Sequence, residues 1–117
     1  MSTVFVCVTC RREGDASEPR PGTRLYAALQ EQAAGDLEVV PVECLSNCTR
    51  SCSAAITAPG KWAYVVGDLD PDQHVGDVIA FARLHRESTD GLTVWRDRPV
   101  HIRKNTIARV PPLKEFP

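Results

Sequence analysis

A chain of 117 residues is one domain's worth, long enough to bury a core without disulfide staples. With 43% hydrophobic and 25% charged residues and a formal charge of −1, it is neither a disordered chain nor a polycation built for nucleic acid. No apolar run reaches the roughly 18 residues a membrane-spanning helix needs, and "MSTVFVC" has no basic region ahead of an apolar stretch, so a cytoplasmic rather than a secreted protein is expected.

Val4 to Val8 are β-branched or aromatic apart from Cys7 and predict a buried first strand. The segment "EGDASEPRPG", Glu13 to Gly22, is dense in turn formers and predicts a loop. Thr23 is placed to cap a helix in which Leu25, Ala28, Leu29 and Gln32 keep helical spacing, ending before Gly35. "LEVVPVEC" returns to strand character. Pro41, which has no N–H for a ladder, puts that strand at a sheet edge or marks its end. "AAIT", "APGK" and "WAYVVG" predict a hairpin with Pro59 and Gly60 in its turn. Asp70 then suits an N-cap, Pro71 the first helical position and Gln73 the close of a capping box. Behind them Val75, Val78, Ile79 and Ala82 form one stripe that faces a core. The order β-α-β then β-β-α is that of a single α/β domain of thioredoxin-like arrangement.

Charge divides the chain unevenly. Residues 1–90 hold 8 Lys and Arg against 13 Asp and Glu, a balance of −5, whereas residues 91–117 hold 6 against 2, a balance of +4. The change falls at "STDG", Ser88 to Gly91, and predicts an acidic body over 1–90 followed by a basic C-terminal extension over 91–117.

The five cysteines form two clusters, Cys7 and Cys10 after the first strand and Cys44, Cys48 and Cys52 after the second. A βαβ unit makes its strands parallel, and if they are neighbours their C-terminal ends lie side by side. The two clusters then converge on one site. In a reducing compartment an odd number of cysteines gathered this way points to metal or redox chemistry rather than to staples. Thiolates are soft ligands, and four of them complete a [2Fe–2S] cluster, two per iron, or a tetrahedral zinc site. A dithiol oxidoreductase built on Cys7 and Cys10 is a rival reading. It is disfavoured because "RREGDASEPRPG" separates the C-x-x-C from any helix whose N-terminus would depress a thiol pKa.

"VFVC", "VTC" and "VECLSNC" resemble the thioredoxin-like [2Fe–2S] ferredoxins and the small iron–sulfur subunit of respiratory NADH dehydrogenase. The resemblance covers roughly residues 3–86. It implies Cys7 as first ligand, Cys10 as second, and Cys44 and Cys48 with Leu45 as the C-L-x-x-C loop; Cys52 has no counterpart and stands as a fifth able to replace Cys10. "CVTC", "CLSNCTRSC", "PGKWAYVVGDLDP", "DGLTVWRDRP" and "IARVPP" together resemble a family of small bacterial proteins described as predicted metal-binding, often found beside cobalamin-synthesis genes. That implies a metal site on the cysteines and a link to cobalt or corrinoid metabolism. The expected function is a small electron carrier rather than an enzyme. The alternative is a non-redox chaperone or sensor that binds zinc or cobalt. Backbone N–H groups in "LSNCTRSC" and the charge of Arg50 should raise the cluster's potential.

His74, His85 and His101 show no metal-ligand spacing and are expected at the surface, His85 near the end of the last helix where a cation complements the dipole. "GDLDPD" lacks the closing Glu of a calcium loop and reads as a turn plus helix cap. No phosphate loop, dinucleotide fingerprint or nucleophile elbow occurs. In the basic extension, Arg96, Arg98, Arg103 and Lys104 form an expected docking surface for a redox partner protein with an acidic face. Trp95, Val100, Ile102 and Ile107 are expected to pack the extension against the body or against a second copy in a homodimer. Nucleic acid and membrane partners are disfavoured.

Overall fold

The computed structural model describes residues 2–9, 14–16 and 18–113. The elements in chain order are β1 (Ser2–Cys7), α1 (Pro21–Gln32), β2 (Leu37–Val42), β3 (Ala54–Thr57), β4 (Ala63–Val66), α2 (Val75–Glu87), α3 (Val100–Asn105) and β5 (Thr106–Val110), with single 3-10 turns at Cys48–Arg50 and Trp95–Asp97. The five strands lie in one sheet in the order β2-β1-β3-β4-β5. β1 runs parallel to β2 and antiparallel to β3, and β3, β4 and β5 alternate in direction. The β-α-β then β-β-α order is the one expected, and Pro41 sits, as its missing N–H requires, on the edge strand β2.

One core holds these layers together. Val4 and Val6 of β1, Leu25 and Leu29 of α1, and Val78 and Phe81 of α2 are all fully buried in it. Each such side chain contributes about 1.5–3 kcal/mol by leaving water. The predicted stripe of α2 is buried throughout and is extended by Phe81 and His85. Tyr64 of β4 meets Phe81 edge-on, with ring centroids 5.1 Å apart at 79°.

Three expectations need correction, and the C-terminal segment takes a definite place. Helix α1 starts at Pro21, whose fixed φ suits a first turn, and not at a Thr23 cap; the Thr23 hydroxyl instead donates to the Val8 carbonyl at 2.9 Å and ties the helix to the loop after β1. Helix α2 starts at Val75, not Pro71. The Asp70 carboxylate accepts from the Asp72 N–H at 2.8 Å, closing a local turn that competes with the helix. His85 is wholly buried rather than at the surface: Nε2–H donates to the Trp62 carbonyl at 2.6 Å, and Nδ1 accepts from the Ser2 hydroxyl at 2.6 Å. Residues 91–110, expected to pack on the body or on a second copy, add α3 and β5 to the body's sheet and core. Ile102 is fully buried, and β5 pairs with β4 from Ala63 level with Val110 to Val66 level with Thr106. Among the described residues no helix is long and apolar enough to cross a membrane.

Candidate metal centre

The parallel pairing of β1 and β2 sets Cys7 level with Val42, so the chain leaving each strand enters the same end of the sheet. Backbone bonds keep the two exits together: the Val8 N–H donates to the Val42 carbonyl at 2.9 Å, and the Cys7 thiol donates to the Glu43 carbonyl at 3.4 Å. The Thr9 hydroxyl also donates to the Glu43 carbonyl. Arg20 and Thr23, at the start of α1, hold this loop from the other side by donating to the carbonyls of Thr9 and Val8.

Cys7 is buried at the end of its strand, while Cys44 and Cys48 are exposed on the loop beyond β2. The Cys48 thiol is pushed above its ordinary value, first by the charge of Cys44, then by a hydrogen bond with Cys44, then by partial burial and the charge of Cys7. Cys44 and Cys48 thus touch, Cys7 lies near enough to act on Cys48, and a cation among them would favour their thiolate forms. The Ser46 N–H donates to the Cys44 sulfur at 3.1 Å, the kind of backbone bond that favours a thiolate. This donor set fits a thiophilic metal or cluster. Among the described residues, however, no three His, Cys, Asp or Glu side chains already close into a group able to hold a metal ion. Cys10 lies outside the described residues. Cys52 is fully buried in the apolar core, and its backbone exchanges hydrogen bonds with Leu69, at 3.1 Å and 3.0 Å.

The cysteine loop is fastened to the rest of the fold through Arg50. Its Nε donates to the Asp68 carboxylate at 2.8 Å, its Nη2 donates to the Asn105 side-chain carbonyl at 3.1 Å, and its own carbonyl accepts from the Asp68 N–H at 2.8 Å. Asn47 adds a bond to the Ser53 hydroxyl at 3.0 Å. Loop and sheet approach so closely that Gly67 has no room for a side chain, with Asn47, the Arg50 carbonyl and Ile107 around it. Sequence reasoning had noted Arg50 for its charge alone and had missed Gly67 and Asn105. The glycine directly after a strand was the available signal for close backbone approach.

A family model matches residues 4–112, nearly the whole chain, and its description is "Protein of unknown function (DUF1636)". The chain belongs to the DUF1636 family. No curated protein matches this DUF1636 chain. Among solved structures, a thioredoxin-like [2Fe–2S] ferredoxin from Aquifex aeolicus is similar with a TM-score of 0.60 at 19% identity, over 99% of this chain and 98% of that one. A second structure of the wild-type ferredoxin gives 0.57 at 20% identity over 92% and 97%. A cysteine-to-serine variant gives 0.58 at 18% identity over 92% and 99%. At these identities the likeness shows the fold, which is thioredoxin-like.

The other singled-out residues of this DUF1636 protein divide clearly. His74 and His101 stack face to face, with centroids 3.5 Å apart at 13°; the Asp70 N–H donates to His74 Nδ1, and His101 Nε2 donates to the Asp68 carbonyl. Arg98 is committed internally: its guanidinium lies 5.0 Å over the Tyr64 ring, and its Nε donates to the Thr93 hydroxyl at 2.7 Å. Of the four residues expected to pack the C-terminal segment, Ile102 is fully buried and Ile107 half-buried, whereas Trp95 and Val100 are 61% and 55% exposed. Arg96 and Lys104 are exposed, and Arg103 lies 4.9 Å over the Trp95 ring.

Proposed function

We propose that this protein is a small electron carrier holding an iron–sulfur cluster, of the [2Fe–2S] kind, on Cys7, Cys44 and Cys48, with Cys10 as fourth ligand. The observation that carries the reading is that the parallel pairing of β1 and β2 brings buried Cys7 and the loop bearing exposed Cys44 and Cys48 to the same end of the sheet. A dithiol reductase on Cys7 and Cys10 would need a helix opening directly at the pair, and α1 begins only at Pro21. The fold shared with [2Fe–2S] ferredoxins supports the choice of cluster over a lone metal ion. When bound, the cluster supplies one-electron chemistry; the chain supplies position and tuning.

Each residue has a stated task. Buried Cys7 gives a rigid anchor at a strand end, while exposed Cys44 and Cys48 face outward on the side a partner must approach. The Ser46 N–H on the Cys44 sulfur favours added negative charge and acts to raise the potential, while the Arg50 guanidinium is neutralised by Asp68 and serves to fasten the loop. Cys52 we assign to packing, since it lies in the apolar core. Anaerobic purification, or reconstitution with iron and sulfide, followed by visible absorption and metal analysis tests the proposal. The expected result is about two irons and two sulfides per chain. A colourless protein holding stoichiometric zinc or taking up cobalt, with no sulfide, would overturn it.

A further inference from the structure

We propose, resting on the electron-carrier reading above, that the surface around Trp95 and α3 is a docking site for an acidic redox protein. Val94, Trp95 and Val100 are 56%, 61% and 55% exposed, and they are three of the five large exposed hydrophobics among the described residues. Exposed apolar side chains in one stretch of chain, with cations beside them, have the composition of an interface core and its rim. The rim here is Arg96, Arg103 and Lys104, and tryptophan and arginine are the residue types that dominate binding energy at such sites. Arg103 Nε is itself buried and meets no acceptor among the described residues, the guanidinium lying over the Trp95 ring.

Helix α3 presents this surface because its other sides are occupied. Ile102 is buried in the core, and His101 and Asn105, one turn apart, bond toward Asp68 and Arg50. Val100, Arg103 and Lys104 then share the remaining face at i, i+3 and i+4. The bond from Arg50 to Asn105, at 3.1 Å, ties the end of α3 to the loop that carries Cys44 and Cys48. Arg98 drops out of the docking set, since it is stacked on Tyr64 within the molecule.

The charge pattern selects the partner. Residues 91–117 carry a balance of +4 against −5 for residues 1–90, so the patch complements an acidic face. A second copy is a poor occupant. The commonest self-contact, a two-fold one, would press the basic patch against itself.

Calorimetric titration with a flavodoxin, an acidic one-electron flavoprotein, tests this at about 0.02 M and about 0.2 M salt. Saturable binding that weakens with salt is expected. Combined Arg96→Glu, Arg103→Glu and Lys104→Glu should weaken it at least about tenfold and flatten the salt dependence. Trp95→Ala should weaken it about tenfold with the salt dependence kept. If the triple variant does not fold, as judged by circular dichroism, Arg96→Glu with Lys104→Glu carries the charge test. Absence of saturable binding, binding that survives both kinds of variant, or self-association in sedimentation that the variants abolish would each overturn the docking site. Visible absorption of the same samples reads the cluster separately: lost docking with the cluster present refutes the docking proposal alone, and docking by a protein that never takes up a cluster refutes the electron-carrier reading.

Discussion

Replacing Gly67 by alanine tests whether the cysteine loop truly rests on β4. A Cβ built there would stand 2.9 Å from Asn47 Nδ2, 3.0 Å from the Arg50 carbonyl oxygen and 3.2 Å from the Ile107 methyl. The first is closer than side chains tolerate, and the second involves backbone that already accepts from the Asp68 N–H at 2.8 Å. Overpacking of this kind costs about 1–3 kcal/mol, and weakening the Asp68 to Arg50 bond adds about 1 kcal/mol. Alanine returns about 0.4–1 kcal/mol by restricting the unfolded chain, so the net loss is about 1–3 kcal/mol. For a domain of this size that lowers the melting temperature by roughly 5–10 °C. Gly76 is the control: it sits on α2 with nothing within 4 Å, and alanine there should stabilise by about 0.5–1 kcal/mol. Paired thermal melts read the difference. A Gly67→Ala melt within about 1 °C of wild type, or a shift equal to that of Gly76→Ala, would refute the close approach.

Cys52→Ser should keep the iron–sulfur absorption and lower stability by about 1–3 kcal/mol in urea titration, because it puts a hydroxyl into the apolar core; loss of the cluster instead would make Cys52 a ligand. Arg98→Ala, which removes the stack on Tyr64 and the bond to Thr93, should cost about 1–3 kcal/mol, while Arg96→Ala on the exposed surface should stay within about 0.5 kcal/mol. Burial holds the His85 imidazole below its ordinary value, partly offset by its bond to the Trp62 carbonyl. The unfolded chain therefore binds the proton first as pH falls. Stability should be full above about pH 6.5 and decline from there toward the depressed folded value. His85→Gln should flatten that part of a stability–pH curve, and an unchanged slope would count against the assignment.

What could be read from the sequence was whatever local periodicity or chain order controls. The β-branched run at Val4, the hairpin around Pro59 and Gly60, and the stripe from Val75 to Ala82 all formed where expected. The convergence of Cys7 on the Cys44 loop followed from parallel pairing alone. Features set by distant partners were hidden. Nothing near His85 in sequence announces that Ser2 and Trp62 will take both ring nitrogens. Arg98 and Arg96 look alike in "WRDRP", yet only Arg98 has Tyr64 beneath it. "TIARV" alternates as a strand should, but its basic setting masked it, and only the open edge of β4 makes it β5. At Asp70 two local rules competed, and the tight turn won over the helix cap.

The position of β1 has a consequence for how the chain reaches this structure. β1 is an interior strand of the sheet, flanked by β2 and β3, while β5 is an edge. The rungs of β1 wait for residues much further along: Ser2 pairs with Leu37, Thr3 with Thr57, and the Ser2 hydroxyl reaches His85 across 83 residues. Each of these closures spends loop entropy before any packing rewards it. Refolding should therefore run on the slower time scale of domains dominated by non-local pairing, milliseconds or longer, and not at the microsecond pace of a helical bundle of equal length.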